Sequence, residues 1–109
     1  WRKRKLLVHV CSISESGYWS SALEIIKHIP MDGDLLNFDD DITQQSPLHC
    51  ACEYSSLNII KHLIENGGDI YYSSKKNSRD CLYYVTTIRD DKLPQTNDII
   101  TYIKQLKGI

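Results

Sequence analysis

Apolar residues recur at helical spacing in three places along this chain, and two of the three match position for position. "ALEIIKHI" occupies Ala22 to Ile29, and "SLNIIKHL" occupies Ser56 to Leu63. Leu23, Ile25, Ile26, Lys27 and His28 return 34 positions later as Leu57, Ile59, Ile60, Lys61 and His62. A third copy, "NDIITYI", runs from Asn97 to Ile103, with Ile99–Ile100 standing 40 positions after Ile59–Ile60. This spacing gathers the apolar side chains on one face of an amphipathic helix. A shorter apolar segment precedes each copy: "LVHVC" at Leu7 to Cys11, "LHCAC" at Leu48 to Cys52 and "LYYVT" at Leu82 to Thr86. The pattern predicts an all-α chain of three helix–turn–helix units, each burying its apolar face against a neighbour.

Polar segments fill the gaps. The turn inside the middle unit is the tight "EYSS"; the corresponding stretches swell to "SISESGYWSS" in the first and "TIRDDKLPQT" in the last. Gly17 with its serines, and Pro94 with the charged Arg89–Lys92 stretch, mark both as loops. Trp19, in the first loop, is expected to fold back onto the first helix pair, because an exposed indole is costly without a partner. Between units lie "MDGDLLNFDDDITQQ" and "GGDIYYSSKKNSRD", each beginning near a glycine able to close the preceding helix in a left-handed conformation. The units are expected at about residues 5–40, 41–74 and 75–109.

The middle unit, "DITQQSPLHCACEYSSLNIIKHLIENGGDI", resembles the ankyrin repeat. The T-P-L-H-x-A signature of that family corresponds to Ser46-Pro47-Leu48-His49-Cys50-Ala51, and its glycine-rich ending to Gly67-Gly68-Asp69-Ile70. The outer units depart from it. The first lacks the Pro-Leu-His turn, and the third has Asp80-Cys81-Leu82-Tyr83 at the helix start, while Ser55 replaces the glycine between the middle helices. The resemblance implies a solenoid of about three stacked units joined by β-hairpin-like polar turns, with His49 tying adjacent turns together. It also implies partner contacts at the turn tips, Ile42, Thr43 and Gln45 and then Lys76, Asn77 and Arg79. On the inner helices the implied contacts are Glu53 and Tyr54, then Thr87 and Ile88. Asp34, Asp39, Asp40 and Asp41 make the first turn region acidic, and Lys75, Lys76 and Arg79 make the second basic. Such a gradient would orient a partner of mixed charge. Tyr54, Tyr71 and Tyr72 are the candidate aromatic anchors.

Ser46 suits a helix N-cap and Pro47 the first helical position. Leu48, Ala51 and Cys52 read as core, and Ala51 must be small where helix pairs stack closely. A zinc site from His49, Cys50 and Cys52 is disfavoured, since structural zinc takes C-x₂₋₄-C and H-x₃₋₅-H spacings. A cysteine nucleophile needs an exposed thiol of low pKa, and Cys52 falls at a core position. Asp39 to Asp41, read as a solvated turn, have neither a tuned acid–base environment nor the spacing of a calcium loop. His28 and His62 occupy a polar-tolerant outer flank. No catalytic residue, metal or cofactor is expected, and the chain is read as a non-enzyme.

Composition narrows the partners. The chain has 109 residues, 41% apolar and 25% charged, which fits one folded domain. A net charge of −1 argues against a broad basic face for nucleic acid, and no apolar run approaches the ~20 residues of a membrane span. The basic run "WRKRK" reads as a solvated helix start, with a localisation signal or an anion-binding patch as the alternatives. Thr101, Lys104, Gln105 and Lys107 are expected to form a polar cap on the last helix. Four cysteines, Cys11, Cys50, Cys52 and Cys81, read as reduced core residues, which favours an intracellular, cytoplasmic setting. The first residue is Trp1 rather than Met, so a piece of a longer chain is expected. The function expected is a monomeric protein-interaction module. The alternative is an accessory domain that positions an enzyme or ligand-binding domain of the same parent chain.

Overall fold

The computed structural model describes residues 2–109; Trp1, the head of the basic run, lies outside them. Helix α1 spans Arg2–Cys11 and, after a 3-10 turn at Ser16–Tyr18, α2 spans Trp19–Lys27. A short α3 covers Gly33–Leu36, followed by α4 (Pro47–Tyr54) and α5 (Leu57–Glu65). Helix α6 (Cys81–Tyr83) continues into a π-helical segment, Tyr84–Ile88, and α7 spans Thr96–Lys107.

The elements form two rows. Helix α4 packs between α1 and the π segment, and α5 packs between α2 and α7. Leu7, Cys11, Leu48, Ala51, Cys52, Cys81 and Val85 fill the first row's core, and Ala22, Ile26, Ile59, Ile60, Leu63, Ile99 and Ile103 the second's. Ile59 is fully buried, whereas its repeat equivalent Ile25 is 46% exposed. Only one flank of the first unit is covered by a neighbour among the described residues, which accounts for the difference.

The sequence signals at the start of α4 work as written. The Ser46 hydroxyl accepts from the His49 N–H at 3.2 Å, and Pro47 occupies the first turn. Ser56 and Asp80 cap α5 and α6 in the same way, accepting from Ile59 N–H and Tyr83 N–H. Gly67 has φ +115°, and a Cβ there would meet the Gly33 nitrogen at 2.9 Å, so both the backbone conformation and the packing require glycine.

Several expectations need correction. No strand occurs among the described residues, and the joins are tight turns rather than β-hairpins. The first is closed by Asp40 N–H donating to the Gln45 carbonyl at 3.0 Å, the second by Ser78 N–H donating to the Ser74 carbonyl at 2.9 Å. Gln44 and Ser78, 34 positions apart, both take positive φ in these turns. Gly33 opens α3 instead of closing α2, because Asp32 caps a new helix there by accepting from Leu35 N–H. Leu36 anchors that helix in the core. The first loop ends sooner than its composition suggests. Trp19 is the first residue of α2, folded back with its indole N–H donating to the Ile13 carbonyl at 3.0 Å.

Candidate functional site

Two neighbouring turns form one edge of the molecule, and side chains lock each from within. Asp40, 2% exposed, accepts from the N–H groups of Ile42 and Thr43 and pairs with Lys5 at 3.0 Å. Burial alone would raise its pKa, but these donors outweigh that cost and hold the carboxyl below its usual range. Ser74 stands 34 positions later and plays the same part, its hydroxyl accepting from Lys76 N–H. Thr43 and Asn77 complete the parallel, each accepting from the backbone N–H two residues on.

Asp39 joins the two turns. Its carboxylate accepts from the Tyr72 hydroxyl at 3.0 Å, the Ser74 hydroxyl at 3.1 Å and the Lys75 N–H at 3.1 Å. Burial and then this carboxylate push the Tyr72 phenol up to about 12. Asn37 adds a second tie, donating to the Gly67 carbonyl and accepting from Asp69 N–H. The reading of Asp39 to Asp41 as a solvated turn is therefore overturned. Asp39 and Asp40 are structural, and exposed Asp41 pairs with Lys5. The acidic half of the gradient is presented at the surface by exposed Asp34 and Asp41, with Asp41 paired to Lys5.

The remaining tip residues divide by exposure. Ile42 is 80% exposed, Thr43 and Lys76 are exposed, and Gln45 and Asn77 are half-buried. Arg79 lies over the Tyr83 ring at 5.1 Å. Of the proposed aromatic anchors, Tyr71 is exposed with Lys107 above its ring, while Tyr72 is committed to Asp39. The polar cap on α7 is partly spent as well: Lys107 forms an ion pair with Asp80 at 2.7 Å, whereas Thr101, Lys104 and Gln105 stay exposed. In the basic run, Arg4 lies over Phe38 and Lys5 is paired, leaving Arg2 and Lys3 exposed.

On the inner row, Gln45 donates to the Glu53 carboxylate at 2.7 Å. A hydrogen bond to Glu53, then burial, drives the Tyr54 hydroxyl up to about 12. Thr87 is exposed on the π segment, while Ile88 is half-buried and lines a cleft together with Glu53 and Tyr54. Sequence reasoning missed the other walls of that cleft, Ser14, Asp90 and Leu93. It also missed Arg89, a charged loop residue that is only 6% exposed. Its guanidinium donates to the Cys52 carbonyl, the Pro94 carbonyl and the Thr96 hydroxyl at 3.2, 2.9 and 2.9 Å. No local signal marks it, because its acceptor on α4 stands 37 positions away in the chain.

The chemistry of the Ser46–Cys52 stretch is that of packing. His49 bridges the turns, its Nε2–H donating to the Tyr72 carbonyl at 2.9 Å while Nδ1 accepts from Ser46 N–H. All four cysteines are free and buried. Burial pushes the Cys11 and Cys52 thiols well up, and Cys50 to about 12. Among the described residues no group of three His, Cys, Asp or Glu side chains is placed to hold a metal ion. Nor, among the described residues, is any helix long and apolar enough to cross a membrane.

Comparison with known proteins agrees with this architecture. Residues 43–71 match the family model for the ankyrin repeat. A putative ankyrin repeat protein of Acanthamoeba polyphaga mimivirus is 34% identical over 82 residues, covering 75% of this chain. The chain spans 18% of that relative's length. No solved structure gives a significant match.

Proposed function

Because this is an ankyrin-repeat chain, and ankyrin repeats are generally protein-interaction modules, we propose that it is a non-catalytic module that binds through its turn tips and inner helices. The partner is another protein, or another domain of the same parent chain. The contact set is Ile42, Thr43, Gln45, Lys76, Asn77 and Arg79 on the turns, with Glu53, Tyr54, Thr87 and Ile88 on the inner row. One observation carries the reading: Ile42 is 80% exposed at the tip of a turn whose backbone is held by a buried carboxylate. An apolar side chain on a rigid support gains burial on binding and loses little freedom. Lys76, at the equivalent position of the adjoining turn, adds a charge that selects among partners.

The test is capture by the immobilised chain beside an Ile42→Asp/Lys76→Glu variant of equal helicity and melting temperature. Retained proteins are identified, purified and rebound. A purified protein that binds the wild type, and binds the variant at least about tenfold more weakly, supports the proposal. Equal retention by both chains, or retention by neither, overturns it.

A further inference from the structure

A cleft of about 200 Å³ opens at the C-terminal end of α4, lined by Ser14, Glu53, Tyr54, Ile88, Asp90 and Leu93. Its walls come from three irregularities of the stack. The long first loop supplies Ser14, the π segment carries Ile88, and the loop before α7 supplies Asp90 and Leu93. The last wall is fixed. Arg89 grips the Cys52 and Pro94 carbonyls on either side of it, Leu93 N–H donates to the Asp90 carbonyl at 3.1 Å, and Lys92 N–H donates to the Asp90 carboxylate at 2.9 Å.

The chemistry is one-sided. Glu53 and Asp90 bring two carboxylates, and among the described residues no lysine or arginine lies within ion-pair distance of either. The guanidinium of Arg89 is turned to Cys52, Pro94 and Thr96, and Lys92 does not line the cleft. Ile88 and Leu93 give an apolar wall, Tyr54 an aromatic one. The volume is below the roughly 300–1,000 Å³ usual for small-molecule sites, so a single side chain fits better than a free cofactor. A cation on an apolar stem suits these walls, and a planar guanidinium meets two carboxylates and a ring better than a compact ammonium.

We infer that this cleft receives an arginine side chain of a protein partner, its stem against Ile88 and Leu93 and its guanidinium toward Glu53 and Asp90. The inference rests on the reading of the chain as a protein-interaction module and specifies what its inner-row contacts Glu53, Tyr54 and Ile88 receive, apart from the turn tips. The probe is an acetylated glycine pentapeptide with one central arginine, titrated into the isotope-labelled 109-residue chain and followed by amide NMR shifts. Saturable shifts confined to residues 14, 53, 54, 88, 90 and 93 are expected. The citrulline counterpart should cause none, and Glu53→Gln/Asp90→Asn should weaken the response by about tenfold. Asp90→Asn alone, on an exposed loop residue, keeps the test valid if the double variant melts early. Absent or non-saturating shifts, equal shifts with citrulline, or shifts centred on Glu24, Glu65 or Asp98 overturn the inference. Ile42→Asp/Lys76→Glu should leave the peptide response unchanged, so failure at the tips and failure at the cleft are separately visible.

Discussion

His49 is held in one protonation state by its surroundings. Nδ1 accepts from Ser46 N–H and Nε2–H donates to the Tyr72 carbonyl, an arrangement only the neutral ring can make. The ring also stacks on Tyr84 with centroids 5.0 Å apart. Burial lowers its pKa, and the opposing pull of the Tyr72 carbonyl, Asp39 and Asp80 does not restore it. The sign follows: the unfolded chain binds a proton at about pH 6.5 that the folded chain refuses. The melting temperature should therefore hold above about pH 7 and fall as the pH drops from about 6.5 toward 5. His49→Gln should melt lower throughout yet lose less over that window. Parallel melting curves for the two chains would show that His49 does not drive the acid sensitivity. The roles of Ser46, Pro47 and His49 were legible in the sequence because capping depends on residue type at fixed short offsets. Those of Asp39 and Asp40 were not. Asp39's partners Tyr72, Ser74 and Lys75 stand 33 to 36 positions away, and a buried carboxylate in a polar run has the same local signature as a solvated one.

Helices announce themselves by period, and all three Ile-rich outer helices lie where the repeat puts them. Irregular elements follow other rules. Helix α3 is a single turn made by the Asp32 cap and the Leu36 anchor, too short to show a period. The π segment, expected as plain helix from "LYYVT", depends on Arg89 N–H donating to the Tyr84 carbonyl at 2.8 Å, a five-residue closure that leaves Thr86 and Thr87 exposed. What fixes that register is the buried destination of Arg89, which no local pattern carries. Caps allow a quantitative comparison between elements. Ser56 caps α5 with one hydrogen bond, whereas Asp80 caps α6 and also pairs with Lys107. In urea unfolding, Ser56→Ala should cost about 1 kcal/mol. Asp80→Ala should cost about 2 kcal/mol, and the Asp80→Ala/Lys107→Ala cycle should return a coupling of about 0.5–1 kcal/mol. Burial would raise the Asp80 pKa, but Lys107 and the Tyr83 N–H outweigh it and lower it. The Asp80 contribution should thus be complete at neutral pH and fade as the pH falls below about 3.8. A coupling near zero would reduce the Lys107 contact to a surface pairing.

Across the whole molecule, each unit has one apolar face and depends on its neighbour, so stability resides in the interfaces between units. Arg89 touches every unit. It donates to Cys52 in α4, to Thr96 in α7 and to Pro94 in the loop between, and its guanidinium lies 5.9 Å from the Trp19 ring of α2. No carboxylate pairs with it among the described residues, and burial lowers its pKa. A buried cation is costly, yet removing it strands the buried Cys52 carbonyl and frees that of Pro94, and charge-assisted hydrogen bonds are worth about 1.5–3 kcal/mol. The loss therefore wins. Arg89→Met should destabilise the chain by about 2–4 kcal/mol in urea, with the denaturant slope unchanged. Arg89→Lys should recover little, since one ammonium cannot span three acceptors set in a fork. In a Trp1→Phe background, Trp19 fluorescence reports the first unit and far-UV circular dichroism reports all the helices. If Arg89 clamps the stack, both probes shift to the same lower midpoint. If it merely shapes its own loop, the Trp19 midpoint stays at the wild-type value while dichroism alone moves.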